Sequence, residues 1–170
     1  VAGEAPSAGS FAGREHALPV RVYYEDTDFT GLVYHANYVR YFERGRSDYL
    51  RLVGISHTEL LERPDPCAFV VTQLAISFRK AARIDDALTV ITTYDAIKGP
   101  RLHISQKILR GDETIATASV EAACITPDGR PRRPPTDLVA TLTPLLFTPD
   151  DHHGRPQTNA ALTNSTTGRL

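Results

Sequence analysis

The chain has 170 residues, 41% of them hydrophobic, and a formal net charge of −1. That size and apolar fraction suit one globular domain with a single core, and the near-zero net charge gives no electrostatic basis for nucleic acid or a membrane surface as partner. No apolar run approaches the roughly 20 residues that span a bilayer, and Val1–Leu18 lacks the apolar centre of a secretory signal, so neither an integral membrane segment nor export is expected and a cytoplasmic location is.

Residues 1–18, rich in Gly, Ala and Ser, are expected to form a flexible arm, and residues 148–170 a polar, disordered tail. The periodic apolar pattern lies in 19–147. Val20–Glu25 alternates and reads as a short strand. A loop follows, EDTDFTGLVYHAN, carrying several acids and a Gly. Tyr38, Tyr41, Phe42, Tyr49, Leu50 and Val53 then recur at helical spacing, with Asn37 as N-cap and Gly54 as the stop. A helix of about 16 residues would be roughly 24 Å long. Gly45 inside it costs up to about 1 kcal/mol relative to Ala, which is tolerable where another backbone must come close, as under a sheet that wraps the helix.

Ser56 and Glu59 have capping-box spacing and open a short helix through about Arg63, which Pro64 and Pro66 end. Four strand-like segments complete the pattern: Ala68–Arg79, Leu88–Ile97, Leu102–Arg110 and Thr114–Thr126, separated by turn signals. In the third, Leu102, Ile104 and Ile108 share one face and His103, Ser105 and Lys107 the other, as in a sheet covered on one side. Short connections favour antiparallel pairing, and the fold class is α+β. Cys67 and Cys124 match no metal-ligand spacing and read as buried, reduced thiols.

The loop before the long helix concentrates the chemistry. It sets Glu25, Asp26, Asp28 and His35 between a strand end and a helix start, where unpaired N–H groups and the positive end of the peptide dipole can stabilise a developing oxyanion. A carboxylate there can act as nucleophile or as base for water, and an imidazole can orient substrate or move protons. The same residues also fit plainer roles. Asp26 can complement the helix dipole, Asp28 can cap a turn, and His35 can pack against backbone.

The run Tyr24-Glu25-Asp26-Thr27-Asp28-Phe29-Thr30-Gly31-Leu32-Val33-Tyr34-His35-Ala36-Asn37-Tyr38 resembles the signature of 4-hydroxybenzoyl-CoA thioesterase-like hotdog proteins, particularly the subgroup associated with the Tol–Pal system. The similarity continues through Tyr41, Glu43, Arg46 and Leu50 and returns at Ala82–Val90, covering residues 19–140 in element order. It implies a hotdog fold, a curved antiparallel sheet around one long helix, and hydrolysis of an acyl-CoA. Asp28 matches the family's catalytic carboxylate, and Tyr24 and His35 match residues beside it. The backbone N–H of His35 would polarise the thioester oxygen. The resemblance sets Gly31, Val33, Tyr34 and Asn37 against the acyl-CoA. Lys80 and Arg83 are preferred for its phosphates over Arg101, Arg130, Arg132 and Arg133. It implies no cofactor, CoA being part of the substrate, and no metal. It further implies homodimers that pair into homotetramers, and a possible protein partner from lipid metabolism or the envelope. A hotdog hydratase or dehydratase, and a non-catalytic acyl-CoA- or protein-binding module, are the competing functions.

Overall fold

The computed structural model describes residues 8–148, and the expected tail is outside them apart from Thr148. Six antiparallel strands form one sheet in the order β1-β2-β4-β5-β6-β3. They are β1 (Ser10–Ala12), β2 (Glu15–Arg21), β3 (Ala68–Phe78), β4 (Ala87–Lys98), β5 (Arg101–Arg110) and β6 (Glu113–Ile125). The long helix α1 (His35–Leu52) packs on β2, β4 and β5, and the short helices are α2 (His57–Glu62) and α3 (Thr136–Leu142). A curved sheet around one helix is the hotdog arrangement.

Helix α1 is amphipathic as its spacing requires. Tyr38, Tyr41, Phe42, Tyr49 and Leu50 are buried, facing a sheet whose inner residues include Val90, Tyr94, Leu102, Ile104 and Ile108. Burying one side chain of this size contributes about 1.5–3 kcal/mol. Gly45 marks the closest approach: a Cβ there would meet Val90 Cγ1 and Thr92 Oγ1, each at 2.8 Å. Both belong to stiff, β-branched side chains that cannot turn aside. Beside them lies a polar network inside the core. Arg46 Nη1 donates to Gln106 Oε1 at 2.8 Å, and Gln106 Nε2 donates to the Phe42 carbonyl and to Thr92 Oγ1, each at 2.9 Å. Arg46 also pairs with Glu43.

Several expected boundaries need correcting. The flexible arm does not extend to residue 18, because 10–12 and 15–21 are strands joined by a turn in which Gly13 has φ +61°. Long-range contacts order this segment. Gly9 N–H donates to Asp48 Oδ2 at 2.8 Å, His16 Nε2 lies 2.9 Å from the same oxygen, and Phe11 meets the Tyr49 ring edge-on at 4.9 Å. The strand expected at Val20–Glu25 starts earlier and stops at Arg21, and Tyr24–Asp26 is a 3-10 turn. Pro19 is in register with Thr89 of β4, but bonding alternates and the Val22 N–H takes the β4 side, so the Pro19 nitrogen faces the β1 side, where pairing ends at Ala17. Helix α3 was not expected in a Pro- and Arg-rich stretch; Leu138 and Leu142 anchor it in the core. Both cysteines are buried and free as expected.

Burial alone would raise the Asp48 pKa, but the Gly9 N–H, His16 and Arg51 together hold it below the usual carboxylate value. A depressed carboxylate contributes its stability fully above its unfolded pKa of about 3.9 and loses it as pH falls through the folded one. Melting temperatures should therefore drop steeply below about pH 4, and Asp48→Asn should flatten that acid limb while lowering stability near neutrality. An unchanged acid limb in the variant would remove Asp48 from this role.

Candidate active site

The chain leaves β2, makes the 3-10 turn Tyr24–Asp26, and folds a tight loop back to α1. Thr27 and Val33 form an isolated bridge across that loop. The Asp28 N–H meets the Leu32 carbonyl at 2.9 Å, and the Gly31 N–H meets the Asp28 carbonyl at 3.0 Å. Gly31 adopts φ +76°, which a side chain would resist. The loop also rests on the segment before β4: Val33 N–H donates to the Ala82 carbonyl at 2.9 Å, and Leu32 bridges to Arg83.

Asp28 is exposed. Thr30 Oγ1 and the Thr30 N–H both donate to its Oδ1, at 2.5 and 2.8 Å, and Oδ2 has no hydrogen bond among the described residues. Those Thr30 bonds, the hydroxyl first, hold its pKa below the usual carboxylate value. At neutral pH the side chain is therefore an ionised carboxylate with one oxygen free to react. Tyr34 is the N-cap of α1, so the N–H groups of His35 and Ala36 have no acceptor among the described residues. The loop thus sets a free carboxylate oxygen and free helix-start donors at one end of the molecule.

The remaining expected site residues divide. Tyr24 is 82% exposed, and the His35 ring packs on the Tyr34 ring at 4.4 Å. No hydrogen bond among the described residues joins Asp28 to Tyr24 or His35. Val33 and Asn37 are buried. Asn37 is not the N-cap; it sits in the first turn, where its Nδ2 donates to the Asp26 carbonyl at 2.8 Å. Lys80 pairs with Glu113, Arg101 with Glu121, Arg130 with Asp128 and Arg132 with Asp65. Arg83 and Arg133 carry no ion pair among the described residues, and Arg83 adjoins the Asp28 loop. Sequence reasoning missed Thr30, whose hydroxyl two residues beyond the acid is the usual geometry of a local turn.

A groove of 1220 Å³ runs between β2, the second half of α1 and the start of α2, lined by Leu18, Arg21, Tyr23, Arg44, Arg51 and His57 among others. Asp28 does not line it, and volume alone is a weaker guide to the reacting site than the carboxylate and the free donors. Aromatic side chains instead stand uncovered around Asp28: Phe29 is 100% exposed, with Tyr23, Tyr24 and Tyr34 also exposed. The far sheet edge is open as well. Among the described residues β3 pairs only with β6, and it exposes Val70, Val71 and Phe78.

Residues 22–142 match the family model of the thioesterase-like superfamily. The chain belongs to that superfamily. Among its relatives, the acyl-CoA thioesterase YbgC of Haemophilus influenzae is 44% identical over 109 residues, spanning 64% of this chain and 79% of the relative. The acyl-CoA thioester hydrolase YbgC of Escherichia coli is 39% identical over 124 residues, 72% of this chain and 91% of the relative. A probable thioesterase from Bartonella henselae superposes with TM-score 0.69 at 43% identity, covering 71% of this chain and 99% of that one. A 4-hydroxybenzoyl-CoA thioesterase solved with 4-hydroxybenzoyl-CoA superposes with TM-score 0.69 at 18% identity, covering 75% and 98%, and shares the fold. The superfamily match thus spans the Asp28 loop, and the chain shares the fold of those two solved structures. Among the described residues no helix is long and apolar enough to cross a membrane.

Proposed function

We propose that this superfamily member is an acyl-CoA thioesterase in which Asp28 drives hydrolysis at the start of α1. The observation that carries the reading is the ionised, half-free Asp28 carboxylate held by the same loop that leaves the His35 and Ala36 N–H groups uncovered. The carboxylate attacks the thioester carbonyl or activates a water to do so, the carbonyl oxygen gathers charge against those N–H groups, and the thiolate of CoA leaves. Water supplies the oxygen that ends in the acid product. No cofactor is required. Arg83 is the cation placed to meet the CoA phosphates.

The uncovered aromatics and the open β3 edge support assembly. In this reading a second copy adds its β3 to form a continuous sheet, covers the Asp28 loop and walls in the acyl group, and dimers pair into a homotetramer. The enzyme works in the cytoplasm, alongside the Tol–Pal envelope system, as the Tyr24–Tyr38 signature suggests. A panel of acyl-CoA substrates of graded chain length, with CoA release followed by a thiol reagent, tests the reaction. Turnover that rises and falls with chain length supports it. Saturable binding of every acyl-CoA without CoA release would leave a binding module instead.

A further inference from the structure

The Asp-Thr-Asp run holds two carboxylates, and the fold buries only the first. Asp26 is 5% exposed. Its Oδ2 accepts the Tyr23 N–H at 2.8 Å, closing a box at the 3-10 turn. Its main-chain carbonyl accepts two donors, the Tyr34 N–H at 2.9 Å and Asn37 Nδ2 at 2.8 Å. One residue therefore ties the exit of β2, the N-cap of α1 and the first turn of α1 together. The loop carrying Asp28 begins at the next residue, Thr27, and closes on Val33, so Asp26 is its root.

We infer that Asp26 and Asn37 form a positioning pair that fixes where the Asp28 carboxylate stands relative to the His35 and Ala36 N–H groups; this rests on the thioesterase reading above. Among the described residues the Asp28 side chain is bonded only to Thr30, inside its own loop. Its place is therefore set by the two anchors of the loop, the contacts of Leu32 and Val33 with Arg83 and Ala82 at the far end and the Asp26 root at the near one. A misplacement of about 1 Å between reacting groups costs on the order of a hundredfold in rate. The Asp26 carboxylate acts here as an acceptor for a backbone N–H, a role that needs an oxygen and not a charge. Asn at position 26 retains such an oxygen and Ala does not.

The test is a panel of Asp26→Ala, Asp26→Asn, Asn37→Ala, Asp28→Asn and Leu138→Ala, each measured for kcat, KM and melting temperature on one acyl-CoA. Leu138 is a core residue of α3 and serves as the stability control. Asp26→Ala and Asn37→Ala should each lower kcat at least about tenfold with KM changed less than about twofold, the pattern of a lost transition-state geometry. Asp26→Asn should stay within about threefold of the parent because the acceptor survives. Leu138→Ala should lose melting temperature and keep its kcat.

The inference is overturned if Asn37→Ala keeps parental kcat, or if kcat follows melting temperature across the panel, Leu138→Ala included. It is also overturned if Asp26→Asn is as impaired as Asp26→Ala, since charge would then matter. Should Asp26→Ala fail to fold, Asn37→Ala, which leaves no carboxylate stranded, decides the matter. Full activity in Asp28→Asn would instead sink the reaction assignment and would be read separately from the other variants.

Discussion

Asp28→Asn is expected to lower kcat at least about a hundredfold, the minimum loss for removing a nucleophile or general base, while the protein melts at the parental temperature. Stability should hold because Asp28 is exposed and Asn can still accept the Thr30 N–H, the bond that shapes the turn. The amide can neither attack a thioester nor take a proton from water. A pH profile of the parent supplies a second check. Thr30 lowers the Asp28 pKa, and the ionised form is the active one. Activity should therefore persist as pH falls to the ordinary carboxylate range near 4 and decline only below it. An acid limb that survives unchanged in residual Asp28→Asn activity, or parental turnover in that variant, would assign the chemistry elsewhere.

A large loss of stability away from the loop is expected for Gln106→Leu. Leu matches the apolar face on which residue 106 lies, between Ile104 and Ile108, and periodicity alone would favour it. Yet Gln106 is 4% exposed and, among the described residues, supplies the only uncharged side-chain acceptor to the buried Arg46 guanidinium. Replacing it leaves that Nη1 without an acceptor inside the core and removes a donor from Thr92. Losing a hydrogen bond to a buried charged group costs about 3 kcal/mol, which corresponds to a fall of roughly 6–12 °C in melting temperature for a chain of this size. Arg46→Met combined with Gln106→Leu should recover much of the loss, because the charge and its acceptor then leave together. A single Gln106→Leu that melts at or above the parental temperature would show the network to be dispensable.

Much of this architecture could be read before any coordinates. Four strands from Ala68 to Thr126 fall within a residue or two of the structure at most ends, because period-two alternation and Gly or Asp turns are local signals. Gly45 flagged a close approach from helix spacing alone, and Val90 with Thr92 supplies it. The loop from Tyr24 to Tyr38 stood out because acids, Gly and His crowd into a place where no core needs them. Asn37 was harder to read. Its type and position suit an N-cap, but the helix begins two residues earlier at His35, and its amide turns inward to Asp26. Lys80 looked as free as Arg83 until Glu113, far along the chain, came to rest beside it.

Sequence by itself determined the α+β order of elements, the long amphipathic helix and the identity of the loop that carries Asp28, since each depends on neighbours a few residues apart. Tertiary structure alone decided that residues 10–12 and 15–18 join the sheet, through β1–β2 and β2–β4 pairing and with Asp48 holding them in place, that Gln106 serves a buried Arg46, and that of two acids two residues apart Asp26 is locked while Asp28 keeps one oxygen free. The physical reason is common to all three. A polar group's role depends on which donors and acceptors reach it; for Asp48 and Gln106 these come from segments up to 64 residues away, and for Asp26 from across its loop, up to 11 residues away.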